Sequence, residues 1–108
     1  MGLNAAGFEL TLNGMTDATL GINSIKLDHD GYYDSGAKAV TFGAAVGAAS
    51  SGTIDLSGTY TFTVTGGNYV FGIELYNDTT KVGYVPVTQV QDDNDFDYIV
   101  DGLTITLT

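Results

Sequence analysis

The 108-residue chain has no cysteine, no arginine and no tryptophan, and only three lysines, one proline and one histidine. Without cysteine there can be no disulfide framework, thiolate metal site or thiol nucleophile, and the redox compartment leaves no mark. Three cations against thirteen carboxylates give a net charge of −10, which repels a phosphate backbone over the range that salt leaves unscreened. Nucleic acid is therefore not an expected partner. No apolar run approaches the length of a bilayer span, so no membrane partner is expected either. The opening residues MGLNAAGFEL lack the basic segment and apolar stretch of a secretory signal; taken as an intact start, they predict synthesis in, and release into, the cytosol. Ala6 stands where a myristoylation signal needs Ser or Thr, which discounts Gly2 as a lipid site.

What the chain does have is a composition able to fold. Apolar residues make up 44% and charged residues 15%, far from the balance of a disordered segment. The length suits one domain over 1–108, with a modest core that removes roughly two thirds of the unfolded surface from water. Fifteen glycines and fifteen threonines with so few cations resemble an exported β-protein, yet no export signal is present. A protein released by lysis, as a virion component is, fits both facts. The acidic surface also favours solubility in a protein made in many copies.

From Tyr60 onward the dominant period is two, the pattern of half-buried strands. TYTFTVT alternates Tyr60, Phe62 and Val64 against threonines. NYVFGIELYN puts Tyr69, Phe71, Ile73 and Leu75 on one face, and Gly66-Gly67 between the two runs predicts a tight hairpin turn. A second turn is expected at Asn77 to Thr80. Pro86 lacks a ladder donor and places the strand KVGYVPV at a sheet edge or its end. An acidic loop, a short strand at Tyr98 to Val100, a turn at Asp101-Gly102 and a last strand with Leu103, Ile105 and Leu107 inward complete the chain. Earlier, TLGINSIKLD predicts a strand with Ile22 and Ile25 or Leu27 inward, and AKAVTF another. LNAAGFELTLNGM fits a helix stopped by Gly14 and a strand through Phe8, Leu10 and Leu12 equally well. The expected fold is mainly β, an antiparallel β-sandwich or jelly-roll-like domain with room for one short N-terminal helix. No repeat marks a solenoid.

The stretches that could carry chemistry do not meet its requirements. Glycines at 43, 47, 52 and 58 lack the spacing of a dinucleotide loop, β-favouring TIDL follows instead of a helix, and no Walker lysine follows Gly52. His29 lies between Asp28 and Asp30, with Asp34 near, but a zinc site wants more ligands than this segment assembles, and Asp30-Gly31 is an ordinary turn signal. Asp93, Asp95 and Asp97 have the spacing that begins an EF-hand, but Tyr98 replaces its glycine and Thr104 its bidentate glutamate. Calcium at the acidic loop Asp92 to Asp97 stays open, beside a solvated loop that guards a sheet edge. No G-x-S-x-G occurs, and the single histidine has no evident nucleophile. The expectation is no enzyme, and no catalytic, cofactor-binding or metal-binding residues.

LNAAG at the start, TDAT before the first strand, AKAVTFGAAVGAASSG in the middle and a closing DGLTITLT together resemble the short tailed-bacteriophage virion proteins called tail fibre proteins. The order of segments is kept over most of the chain, while INSIKLDHDGYYDSG replaces that family's histidine-containing strand and Asp-Pro-Gly loop. The resemblance implies an N-terminal helix over Leu3 to Asn13, AVTFGAA as a core strand, and Gly43 to Gly52 as a connection where strands or subunits approach closely. It implies a structural protein of a tail fibre or surface appendage that assembles as a homo-oligomer, with trimers common in the class, and with other virion structural proteins as partners. The Gly-rich connection and the N-terminal segment are the candidate contact surfaces. Two further readings are a capsid decoration protein and, of another class, a carbohydrate-binding or adhesive β-module in which Tyr32, Tyr33, Tyr69 or Tyr84 stack on sugars.

Overall fold

Ala5–Met15 forms α1, the only helix among the described residues; the computed structural model describes residues 2–29 and 36–108. Its start is set by Asn4, whose side-chain oxygen accepts the Gly7 N–H at 2.9 Å and so satisfies one of the donors a helix leaves unpaired. Phe8 and Leu12, one turn apart, are the buried pair. The helix runs one residue past Gly14 and closes where the Thr16 N–H and hydroxyl both donate to the Leu12 carbonyl. The Asp17 carboxylate then takes the N–H groups of Thr19 and Leu20, each at 2.9 Å, and turns the chain into the first strand.

That strand, β1 (Ser24–His29), lies in a four-stranded antiparallel sheet with β2 (Lys38–Ala39), β7 (Tyr69–Asn77) and β8 (Thr80–Gln91), in the order β2-β1-β7-β8. The chain leaves this sheet at Val40. Next come β3 (Thr41–Phe42) and β4 (Val46–Gly47), which pair in turn with β5 (Gly52–Ser57). β6 (Tyr60–Val64) pairs with β9 (Phe96–Val100), and β5 pairs on its other side with β10 (Thr104–Leu107). β5–β6 and β9–β10 therefore make one long antiparallel ribbon. Its joint is bridged by the Leu56 N–H to the Leu103 carbonyl at 2.7 Å, with Gly58 and Gly102 at positive φ on either strand. The molecule measures 49 × 25 × 23 Å.

Two cores follow from the bend in that ribbon. Its β6–β9 half lies across the four-stranded sheet, and the two inner faces enclose Ile25, Leu27, Val70, Ile73 and Leu75 against Leu56, Phe62, Val64 and Val100. This is an antiparallel β-sandwich. Its β5 half instead takes the helix, with Phe8 and Leu12 buried beside Ile54. Glycine is required here. A Cβ on Gly47 would run into the backbone carbonyl of Ala5, and one on Gly52 would lie 2.6 Å from the Phe8 Cβ. The small-residue connection is thus where the helix settles onto the strands.

Several sequence expectations hold: the turn at Asn77 to Thr80 joins β7 to β8, Pro86 sits on an edge strand, and Leu103 and Ile105 pack on the core. The hairpin at Gly66-Gly67 does not. β6 pairs with β9 and β7 with β1 and β8, so this segment crosses between the two layers of the sandwich. The Gly66 N–H donates to the Asp95 carboxylate and the Gly67 N–H to the Asp92 carbonyl. Alternation plus a glycine pair fits a crossover as well as a hairpin, and burial of Phe62 and Val64 against the facing sheet decides for the crossover. The phase of β7 also differs from expectation: Val70 is buried while Tyr69 and Phe71 are exposed. Phe71 is an extra residue on β7, left over between Val70 and Gly72, which pair with the adjacent residues His29 and Asp28 of β1; this bulge flips the alternation, and β8 is irregular at the same place. AVTFGAA is not one core strand: it holds the end of β2 and the whole of β3, which lie in different sheets, and changes layers at buried Val40.

Gly47→Ala is expected to destabilise the fold by about 1–3 kcal/mol, because the colliding partner is backbone. Gly14 has open space around it, so Gly14→Ala is expected to stabilise by about 0.5–1 kcal/mol. Urea unfolding of the two variants with unchanged m-values checks both signs.

Candidate assembly surface

The helix and the small-residue connection, far apart in sequence, occupy the same end of the molecule. Both present apolar side chains to solvent: Leu10 is 76% exposed, Val46 64% and Leu3 47%. Leu3 folds back over Gly7 and, with Gly2, Phe8, Ala49, Ser50 and Thr108, borders an open hollow of about 500 Å³. Charge is nearly absent here. In a chain with thirteen acids, α1, β4, β5 and β10 contain only Glu9 and Asp55, and the Asp55 carboxylate accepts the Thr104 hydroxyl at 2.6 Å. The sequence had nominated both segments as contact surfaces; only the fold places them together.

The outer face of the four-stranded sheet is different in character. Glu74 is central to it, accepting from the Lys81 ammonium at 2.8 Å and from the Tyr76 hydroxyl at 3.2 Å. Tyr84 crosses over Gly72, where a Cβ would stand 2.5 Å from its ring, and donates its hydroxyl to Asp28 on the next strand but one at 2.7 Å. Lys81 lies over the Tyr84 ring at 5.2 Å and Lys26 over that of Tyr76 at 5.5 Å. Tyr84 therefore lies close over the Gly72 backbone with a cation near its ring. Tyr69 stacks on Phe71, with ring centres 5.9 Å apart. Of the tyrosines read as sugar platforms, Tyr69 and Tyr84 reach this face at different points; Tyr32 and Tyr33 lie outside the described residues, as do Asp30, Asp34 and the side chain of His29.

The acidic loop spends its carboxylates on the chain. Asp95 caps the Gly66 N–H, Asp92 takes the Asn94 N–H, Asp93 accepts from the Gln91 amide, and Asp97 accepts the Thr63 hydroxyl at 3.3 Å. Among the described residues no three His, Asp or Glu side chains stand close enough to hold a metal ion. Asp95 thus helps hold the Gly66 crossover, a role no spacing rule revealed. Asn23 is another position sequence reading missed. Its amide donates to the Asp78 carboxylate at 3.0 Å and accepts the Asp78 N–H at 2.9 Å, fixing the tip of the β7–β8 hairpin where Asp78 has φ +53°.

The bond to Asp28, with desolvation adding to it, holds the Tyr84 phenol above the usual tyrosine range. A raised folded value means a stabilising contribution that is complete below about pH 10 and fades as pH rises through the folded value. In alkaline titration at 295 nm, the difference between the native chain and Tyr84→Phe should show a late-titrating phenol; Asp28→Ala should return it toward the ordinary range. No protein-family model, curated protein or solved structure matches the chain.

Proposed function

We propose that this chain is a non-enzymatic structural protein of a tailed-bacteriophage virion, a component of the tail fibre or another surface appendage that acts by assembly. The observation that carries the reading is the nearly uncharged, apolar end built from α1 and the 43–52 connection in a chain of net charge −10. Acidic subunits repel one another except where charge is absent, so this end is where subunits or neighbouring virion proteins can meet. The segments that make it, LNAAG and AVTFGAAVGAASSG, are also among those that resemble the phage family.

Mass spectrometry of purified particles from the encoding genome tests membership. A few copies per particle support an appendage, hundreds support capsid decoration in its place, and absence from particles defeats both. Within the proposed role, Leu10→Asp combined with Val46→Asp is expected to leave the melting temperature nearly unchanged, since both side chains are exposed and such changes usually cost less than about 0.5 kcal/mol each. The same variant should be strongly depleted from particles in a complementation experiment. Equal incorporation would remove this end from the assembly surface.

A further inference from the structure

A sheet edge invites another strand unless something blocks it, and blocking devices are few: shortness, proline, bulges, charge, or a covering element. The edges here use nearly all of them. β2, β3 and β4 are two residues long. β8 carries Pro86 and two irregularities, one at Val82 and one over Val87 to Gln89. β9 contains Asp97 and is followed by Asp101. β6 is flanked by the β2–β3 segment, whose Thr41 N–H donates to the Tyr60 hydroxyl while the Lys38 ammonium lies over the Phe62 ring.

β10 has none of them. Among the described residues it is an outer strand of its sheet, paired only with β5, and the residues from Gly102 to Thr108 include no charged side chain and no proline. Its pairing with β5 is regular throughout, Thr104 opposite Asp55 to Leu107 opposite Gly52. The Leu56 to Leu103 bond sets the phase of the ladder. Antiparallel hydrogen bonding alternates, so Leu103, Ile105 and Leu107 are bonded to β5, whereas Thr104 and Thr106 turn N–H and C=O to the open side. Beside the start of β10, Val85, Val87, Tyr98 and Leu103, together with Asp101 and Thr104, border an open hollow of about 310 Å³.

We infer that β10 pairs antiparallel with β10 of a second copy, about a twofold axis at Ile105. A twofold axis at Ile105 uses every donor and acceptor offered by Thr104 and Thr106: Thr104 lies opposite Thr106 of the partner, Thr106 opposite its Thr104, and Ile105 opposite its Ile105. Each threonine pair then exchanges two backbone hydrogen bonds, and threonine side chains pair well across strands. The two four-stranded sheets become one of eight. A second copy fits because of charge: partners that each carry −10 can come into strand-pairing distance only along an uncharged edge, and a twofold axis sets that edge against itself. This rests on the reading of the chain as an assembly module, and names its first partner and register; membership of a particle is tested separately, by proteomics.

Sedimentation equilibrium of the purified chain over a dilution series is expected to show a monomer–dimer equilibrium. Thr106→Pro removes an outward N–H that β5 does not use, and should weaken dimerisation by at least about tenfold. Thr106→Lys, which leaves the backbone intact and places like charges across the axis, should do the same with native far-UV circular dichroism, and carries the test if the proline variant fails to fold. Because the chain lacks cysteine, Ile105→Cys supplies one thiol, and it should crosslink to its counterpart under mild oxidation, whereas Thr61→Cys on a distant strand should not. A native chain that stays monomeric, assembles only as a trimer, or remains dimeric as Thr106→Lys without crosslinking at position 105 overturns the inference. Dimerisation by a chain absent from particles would sink the virion reading alone.

Discussion

The pairing of β5–β6 with β9–β10 is the constraint on which the rest of the molecule depends. This ribbon closes the sandwich with one half and supports the helix with the other, and Leu56, Phe62, Val64 and Val100, among the most buried side chains, all lie on it. Its strands are separated in sequence by the whole of β7 and β8, so their union carries the loop-closure cost of that intervening chain. The β7–β8 hairpin bears no such cost and provides the surface against which the ribbon's apolar side is buried. Loss of burial at Phe62 would therefore be felt at both ends of the molecule, since the same strands that face the sheet continue under α1.

Division of charge is the second organising feature. Most acids lie on the outer face of the four-stranded sheet, in the hairpin tip and in the 92–101 segment, where many hold backbone or side-chain donors. The helical end is left almost neutral and apolar. Charge and exposed apolar surface thus lie at different places on one elongated body. Lysine is used sparingly and locally: Lys26, Lys38 and Lys81 each lie over an aromatic ring, and Lys81 also reaches Glu74.

Much of this was legible in the order of residues. Alternation in TYTFTVT put Phe62 and Val64 inward, the single proline marked an edge, and Asn77 to Thr80 marked a turn. Where reading from sequence went astray, the cause was competition between local pattern and distant burial. Gly66-Gly67 suits a hairpin, but Phe62 and Val64 bury more by facing the opposite sheet, so the chain crosses over. Tyr69 and Phe71 alternate in step with Ile73, but the bulge at Phe71 against β1 shifts the phase and turns both rings outward. LNAAGFELTLNGM carried two periodicities at once, and Gly47 and Gly52 decide between them by leaving a helix-sized seat that other residues would fill.

By itself the sequence determined that the chain is strand-rich, acidic, free of cysteine chemistry and furnished with a known set of inward-facing residues in its later strands. These are properties of contiguous residues: backbone preference, side-chain alternation and the sum of charges. Tertiary structure alone decided which strands pair, that the N-terminal helix and the small-residue connection share one end, and that β10 is the edge left unguarded. Those outcomes turn on how much apolar surface each long-range pairing removes from water against the chain entropy it costs, and no short stretch contains that balance.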